Sequence, residues 1–334
     1  MGTGSGSPAN QSHRLFEYAN HIGESRHAAK QDGTARIKIF NRETKRGYAH
    51  NFTRVLVFAR EHFGLRLAAD LTPEMVAAFI QSLHQRGLAS TTIAKYETVV
   101  NKADAIMRDC GWKPRTAPPL LPPEPKAPRE RPDPLPYTSA EADQLLGWLA
   151  RLREVRFGHM ATLQRHAGLR IQEAVMLRAE AISESGDCVT LIRRDGQKSG
   201  RPRELRVFDA GAQRLLRELR ASTLKRKRKR VFIDSDSEKK VKALMRAHQR
   251  ALQWAATSLG IGHTKTHDLR RTYANEVLLK LQELGLDDKG AMGTLSGYLG
   301  HGESRMDKGL LGSYVALNRL GDFRPAGSPS TALD

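Results

Sequence analysis

The sequence predicts a mainly α chain with a small β component (α+β), in two parts joined by an extended connector. Three observations carry this reading. Apolar residues recur at three- and four-residue spacings through most of the chain. Ten of the 15 prolines fall between Pro114 and Pro136. Two short apolar runs, Val189–Ile192 and Leu205–Phe208, flank a turn-forming basic stretch and read as paired strands.

Taken in order, residues 1–34 predict little beyond one helix around Leu15 to Ile22, in a segment expected to be partly disordered. Tyr48, Phe52, Val55, Leu56 and Ala59 mark a helix face. Thr72-Pro73 is an N-cap followed by Pro at the first helical position, and Gly87 stands where that helix should stop. Ser90 can cap a helix carrying Ile93, Tyr96, Val99, Val100, Ala103 and Ile106. Residues 35–112 thus form a small helical bundle. Residues 113–136 cannot run as helix or central strand and read as a semi-stiff linker. Residues 137–334 form the second part. It opens on the capping box Thr138 to Glu141, with helices over Phe157–Ala167 and Ile171–Leu177. The rest is helical, apart from a short strand expected at Val231–Ile233.

Composition narrows the function. The formal charge is +19, and such an excess repels itself unless a polyanion neutralises it. Nucleic acid suits, because each Lys or Arg at a phosphate releases condensed counterions. No apolar run is long enough to cross a bilayer, and Met1–Asn10 lacks the pattern of a signal peptide. Cys110 and Cys188 make neither a disulfide framework nor a metal-ligand spacing, so an intracellular, reducing setting is expected.

Four pieces carry chemistry. In Gly168-Leu169-Arg170-Ile171-Gln172-Glu173, Arg170 opens a helix and Glu173 shares its face, three residues on. A carboxylate there fixes the guanidinium for a bidentate grip on phosphate, although alone such a pair is commonly a surface ion pair. Lys198 lies in a basic turn with Arg193, Arg194, Arg201 and Arg203. In Thr266-His267-Asp268-Leu269-Arg270-Arg271-Thr272-Tyr273-Ala274, His267 and Arg270 face one way. An imidazole beside a guanidinium suits proton transfer and charge stabilisation at a phosphate. The fourth piece is Tyr298-Leu299-Gly300-His301, followed thirteen residues after His301 by Tyr314. A tyrosine can be a covalent nucleophile. The run Lys225-Arg226-Lys227-Arg228-Lys229-Arg230 either grips a DNA backbone or is a solvated loop. No nucleotide-binding loop of the Gly-x-x-x-x-Gly-Lys-Ser/Thr type occurs.

Arg–Lys–His–Arg–His–Tyr in this order resembles the tyrosine recombinase (phage integrase) family. The segments Gly-Leu-Arg-x-x-Glu and His-x-Leu-Arg-x-Thr-x-Ala carry the resemblance, which covers nearly all of the region after the linker. It implies a helical, SAM-like core-binding domain over 35–112 and a tyrosine recombinase-like catalytic domain over 137–334. It implies a site-specific recombinase acting through a 3′-phosphotyrosine for a mobile element. The catalytic residues would be Arg170, Lys198, His267, Arg270, His301 and the nucleophile Tyr314, with Glu173 in support. Relative to the family, the interval from His301 to Tyr314 is a few residues long, as if 302–309 were inserted. Arg193, Arg194, Arg201, Arg203, Lys225, Arg226, Lys227, Arg228, Lys229, Arg230, Lys265 and Arg271 would contact DNA.

The resemblance also implies no metal and no cofactor. Its partners would be double-stranded DNA carrying specific sites and three further copies of the chain, a homotetramer on two duplexes. Accessory DNA-bending proteins would join them, in the cytoplasm of a bacterium and at its nucleoid, with no membrane involved. Two alternatives share the fold: a type IB topoisomerase-like enzyme that relaxes DNA, and a catalytically silent DNA-binding protein.

Overall fold

The structure is a computed structural model that describes residues 6–122, 135–192, 202–300, 314–316, 320 and 323. It is mainly helical with one two-stranded sheet. It divides into two compact units, residues 1–129 and 130–334.

The first unit is a helical bundle. It contains α1 (Pro8–Tyr18), α2 (Arg26–Gln31), α3 (Arg42–Phe63), α4 (Pro73–Gln85) and α5 (Ser90–Asp109). Thr72 caps α4 through Met75 N as expected, and Gly87 leaves it at φ 68°. Ser90, in contrast, is the first residue of α5 and makes no cap bond; Ala89 holds that position. The bundle also begins before residue 35. Leu15 and Phe16 of α1 are fully buried with Phe52, Val55 and Leu56 of α3. Each such side chain removed from water contributes about 1.5–3 kcal/mol. Gln11 fastens α1 further, donating to Arg66 O (2.8 Å) and accepting from Ala68 N (2.6 Å).

The first stretch of the proline-rich segment lies on this bundle. The Arg108 guanidinium donates to the carbonyls of Pro114, Arg115, Ala117 and Pro118. Leu120 is buried in the core. A segment without regular structure has carbonyls to satisfy, and one long cation satisfies four. Residues 123–134 of the expected linker lie outside the described residues.

The second unit holds the chemistry-bearing segments. It runs through α6 (Ser139–Ala150), α7 (Arg156–His166), α8 (Ile171–Val175), β1 (Cys188–Leu191), β2 (Arg203–Arg206), α9 (Ala210–Lys225), α10 (Glu238–Ser258), α11 (Thr266–Glu283) and α12 (Asp288–Tyr298). The capping box at α6 is present on both sides. β1 and β2 pair antiparallel, with Leu191 opposite Arg203 and Cys188 opposite Arg206. The strand expected at 231–233 does not form; no partner strand lies beside it among the described residues, and Val231 N bonds only the carbonyl of Leu177 (2.9 Å) outside regular structure. α11 is packed against α6, α7 and α12, and is buried on most of its circumference. A helix so enclosed makes a rigid mount for the side chains it carries.

Candidate active site

The site is built on the turns at Gly168 and Leu299-Gly300, on α8, β2 and α11, and on residues 314–316. Gly168, between α7 and α8, has φ +58°, and a Cβ there would stand 2.5 Å from the ring of Tyr273. Only glycine meets both demands. The tight turn brings Arg170 to the N-cap of α8, where its N–H donates to Glu173 Oε2 (2.7 Å) and its Nη1 to Glu173 Oε1 (2.9 Å). The sequence-predicted fixing of Arg170 by Glu173 is therefore seen, in a carboxylate that is itself fully buried.

Glu173 serves two more cations. Arg203 Nη2 lies 2.6 Å from Oε2, and Arg270 Nη1 lies 3.8 Å from the same oxygen. Arg270, on α11, is fully buried. It donates to the carbonyls of Gly168 and of Leu299, the latter at 2.8 Å, while Arg170 Nη2 also reaches Leu299 O at 3.3 Å. The turns at Gly168 and at Leu299-Gly300 thus aim their carbonyls at one guanidinium.

The electrostatics follow from this crowding. Burial alone would raise the Glu173 carboxyl, but Arg203, then Arg270 and Arg170, outweigh it and hold the group below the usual carboxylate range. Burial, with Arg170 and Arg203 adding to it, pushes Arg270 down to about 10, so it stays cationic at neutral pH. One carboxylate faces three guanidiniums. Among the described residues, Nε and Nη1 of Arg203 and Nε of Arg270 are buried without a hydrogen-bond partner. Buried donors of this kind carry a desolvation cost that an anion would offset.

Tyr314 lies against the same helix face and is 7% exposed. Its ring meets the His267 ring edge-on at 5.2 Å, and Arg270 Cζ stands 5.6 Å from its centroid. His267 is held neutral, its pKa lowered to about 4 by burial and then by Arg270 and Arg271. Two backbone contacts complete the placement: Asn275 Nδ2 donates to Tyr314 O (3.1 Å), and Ala316 N donates to Asn275 Oδ1 (3.0 Å).

The structure therefore brings together Arg170, Glu173, His267, Arg270 and Tyr314. Lys198, His301, Arg193, Arg194 and Arg201 lie outside the described residues. Among the residues expected on a DNA surface, Arg203 is corrected. It points inward, paired with Glu173 and packed on Gly300, where a Cβ would come within 2.7 Å of its Nη1. Arg230 is corrected too: it is 7% exposed, bonded to Asp236 Oδ1 and Met176 O. Lys225 to Lys229 and Lys265 are exposed, and Arg271 is partly buried against Asp268 (2.7 Å). Asn275 escaped sequence reasoning; it stands eight residues after His267, about two turns along the helix and about 80° round it.

Among the described residues no group of three or more His, Cys, Asp or Glu side chains is placed to hold a metal ion. No described helix is long and apolar enough to cross a membrane.

The fold, helical with one two-stranded sheet among the described residues and with Tyr314 docked on the helix that carries His267 and Arg270, is similar to that of solved recombinase structures. Residues 142–276 match the family model described as Integrase. The match includes Arg170, Glu173, His267 and Arg270 and ends before Tyr314. Among solved structures, the fold is similar to that of the XerH site-specific recombinase bound to palindromic difH substrate in a post-cleavage complex. The TM-score is 0.60 at 15% identity, covering 95% of this chain and 96% of that one. The Tn1549 transposon integrase in complex with a circular intermediate DNA gives a TM-score of 0.57 at 12% identity, covering 91% and 95%. No curated protein sequence matches this chain.

Proposed function

We propose that this chain is a site-specific DNA recombinase that cuts and rejoins DNA through a 3′-phosphotyrosine on Tyr314, in the service of a mobile genetic element. The observation that carries the reading is the buried cluster of Arg170, Arg203 and Arg270 around the single carboxylate Glu173, with Tyr314 beside it. A phosphodiester is the anion that such a cluster suits, and its charge grows at the non-bridging oxygens as the reaction proceeds. The relatives of similar fold were solved on recombination-site and transposon DNA.

The chemistry balances without an external energy source. The Tyr314 hydroxyl oxygen attacks phosphorus, and the bond from phosphorus to the 5′ oxygen breaks. Neutral His267 takes up the tyrosine proton; a phosphate anion seated beside the imidazole raises its basicity above that of the empty site. Lys198 gives a proton to the departing 5′ oxygen. Arg170, Arg270 and His301 hold the non-bridging oxygens, and Glu173 orients the arginines. A 5′ hydroxyl from another strand reverses the step and rejoins the DNA. Four copies on two duplexes, assisted by DNA-bending proteins, would supply that strand in a bacterial cytoplasm.

The test uses nicked duplexes built from the sequences that flank the gene, incubated with the full chain in EDTA and without nucleotide. A detergent-resistant, protease-sensitive protein–DNA complex is expected. Cleavage that requires a divalent ion, or that leaves only free ends, contradicts the reading. Relaxation of a plasmid lacking those flanks would favour a type IB topoisomerase-like activity instead.

A further inference from the structure

We infer that Asn275 is a positioning residue that docks the nucleophile segment onto its own chain. The inference rests on the proposed role of Tyr314. Asn275 is fully buried in α11, in a helix interior, where its side chain competes with backbone hydrogen bonding. A buried amide in such a place needs partners, and it finds them outside the helix as well as within it. Its Oδ1 accepts from Ala316 N, and its Nδ2 donates to Tyr314 O and to Arg271 O (2.7 Å). One side chain thereby pairs with both backbone groups that flank Val315, as a neighbouring strand would.

The spacing gives this pairing its consequence. His267, Arg270 and Asn275 fall within roughly two turns of α11, with Asn275 about 80° round the axis from His267, on the side away from Arg270. His267 and Arg270 hold the Tyr314 ring, and Asn275 holds its backbone. Val315, Leu320 and Phe323 are buried in the cluster that includes Val277, Leu278 and Leu281 of α11. A tyrosine with its backbone fixed at two points has little freedom left but its own side-chain torsions. The hydroxyl is then delivered by the same molecule that supplies the arginines. Nothing about Asn275 concerns DNA affinity, since it neither reaches solvent nor adds charge.

The test compares the parent chain with Asn275→Ala on the nicked duplexes, measuring DNA affinity, thermal midpoint and the rate of covalent complex formation at saturating DNA. Misplacement of a reacting group by about 1 Å costs on the order of 100-fold in rate. A loss of about 10- to 100-fold in rate is expected, with affinity unchanged, at a temperature where each protein is fully folded. An unchanged rate overturns the inference. Should Asn275→Ala not fold, Ala316→Pro decides. That variant removes the N–H that Oδ1 accepts and leaves α11 intact. It should lose rate but not affinity, and a Pro variant as fast as the parent overturns the inference. Asn275→Asp separates positioning from mere packing. It keeps the acceptor for Ala316 N and should recover part of the rate lost in Asn275→Ala, whereas recovery of the melting midpoint without any rate would contradict positioning. A parent chain that forms no covalent complex defeats the tyrosine reading itself, and is thereby distinguished from a parent that reacts while Asn275→Ala reacts equally fast.

Discussion

Two strongly basic regions of the second unit behave in opposite ways. At the face of α11, guanidiniums are buried, oriented by Glu173 and by turn carbonyls, and left with donors that no described residue pairs. In the run from Lys225 to Arg230, five consecutive cations are exposed and only the last, Arg230, is held by Asp236 and Met176 O. The difference teaches that cation density and cation function are separate properties. A fixed, dehydrated arginine can act on one phosphate, whereas exposed cations contribute to affinity in proportion to their number.

The sharpest way to break this contrast is Arg270→Ala. It should slow covalent complex formation by about 10²–10³-fold. Removing this fully buried side chain strands the Gly168 carbonyl and leaves a cavity, which should also lower stability by about 2–5 kcal/mol. Chemical denaturation and single-turnover cleavage measure the two effects separately. A variant cleaving at parental rate would mean that Arg270 is structural alone.

Glu173→Gln comes next. The Glu173 carboxyl is held below its unfolded value of about 4.3. A depressed acid contributes stability above that unfolded value and loses it as pH falls through the folded one. The parent should therefore lose stability steeply below about pH 4.3, and Glu173→Gln should be less stable at pH 7 but less acid-sensitive. Melting midpoints across pH 7 to 3 would show this, and parallel curves would refute it.

His248 offers a milder check away from the basic cluster. It is fully buried, bonded to Gln164 Oε1 (2.8 Å), and burial lowers its pKa to about 4. The unfolded value is about 6.5. The fold favours the neutral ring, so its contribution is complete above about 6.5 and is lost as pH falls toward 4. His267 acts in the same direction. His248→Gln should show an acid shift in melting midpoint smaller by roughly 2–4 °C for each kcal/mol removed; an unchanged shift would assign the acid sensitivity elsewhere.

The smallest effects belong to the exposed run. Lys229→Ala should reduce the magnitude of the log–log salt slope of duplex binding by about 0.9. Arg230→Ala should leave the slope alone and lower the melting midpoint instead. If both change the slope equally, Arg230 is not the structural residue its contacts make it.

The uneven legibility of the sequence follows the same divide. Arg170 with Glu173, and His267 with Arg270, could be paired from sequence because helical periodicity fixes which residues share a face. The α6 capping box and the α4 cap were legible because local hydrogen bonding decides them. The turn-forming basic stretch groups Arg203 with the surface arginines. Strand alternation was the better guide, since Leu205 is buried and Arg203 lies two residues away on the same face. The folding of α1 onto α3 was not legible, because its apolar residues are few and its fastening runs through Gln11 to residues 66 and 68, far along the chain. Arg230 was equally hidden: its partners, Asp236 and Met176, are set by the tertiary fold rather than by any local period.

The central claim is that Tyr314, docked on the face of α11, is the residue that becomes joined to DNA. Tyr298 is the competing tyrosine nearby, half-buried and packed against two apolar clusters, one holding Val189 and Leu205 and the other Leu295 and Leu299. The direct measurement is mass-spectrometric mapping of the peptide that carries a nucleotide remnant after trapping on a nicked duplex and digesting the complex. The adduct should be found on Tyr314, and Tyr314→Phe should bind the same duplex with parental affinity while yielding none. An adduct on Tyr298, or one that persists in Tyr314→Phe, would contradict the account.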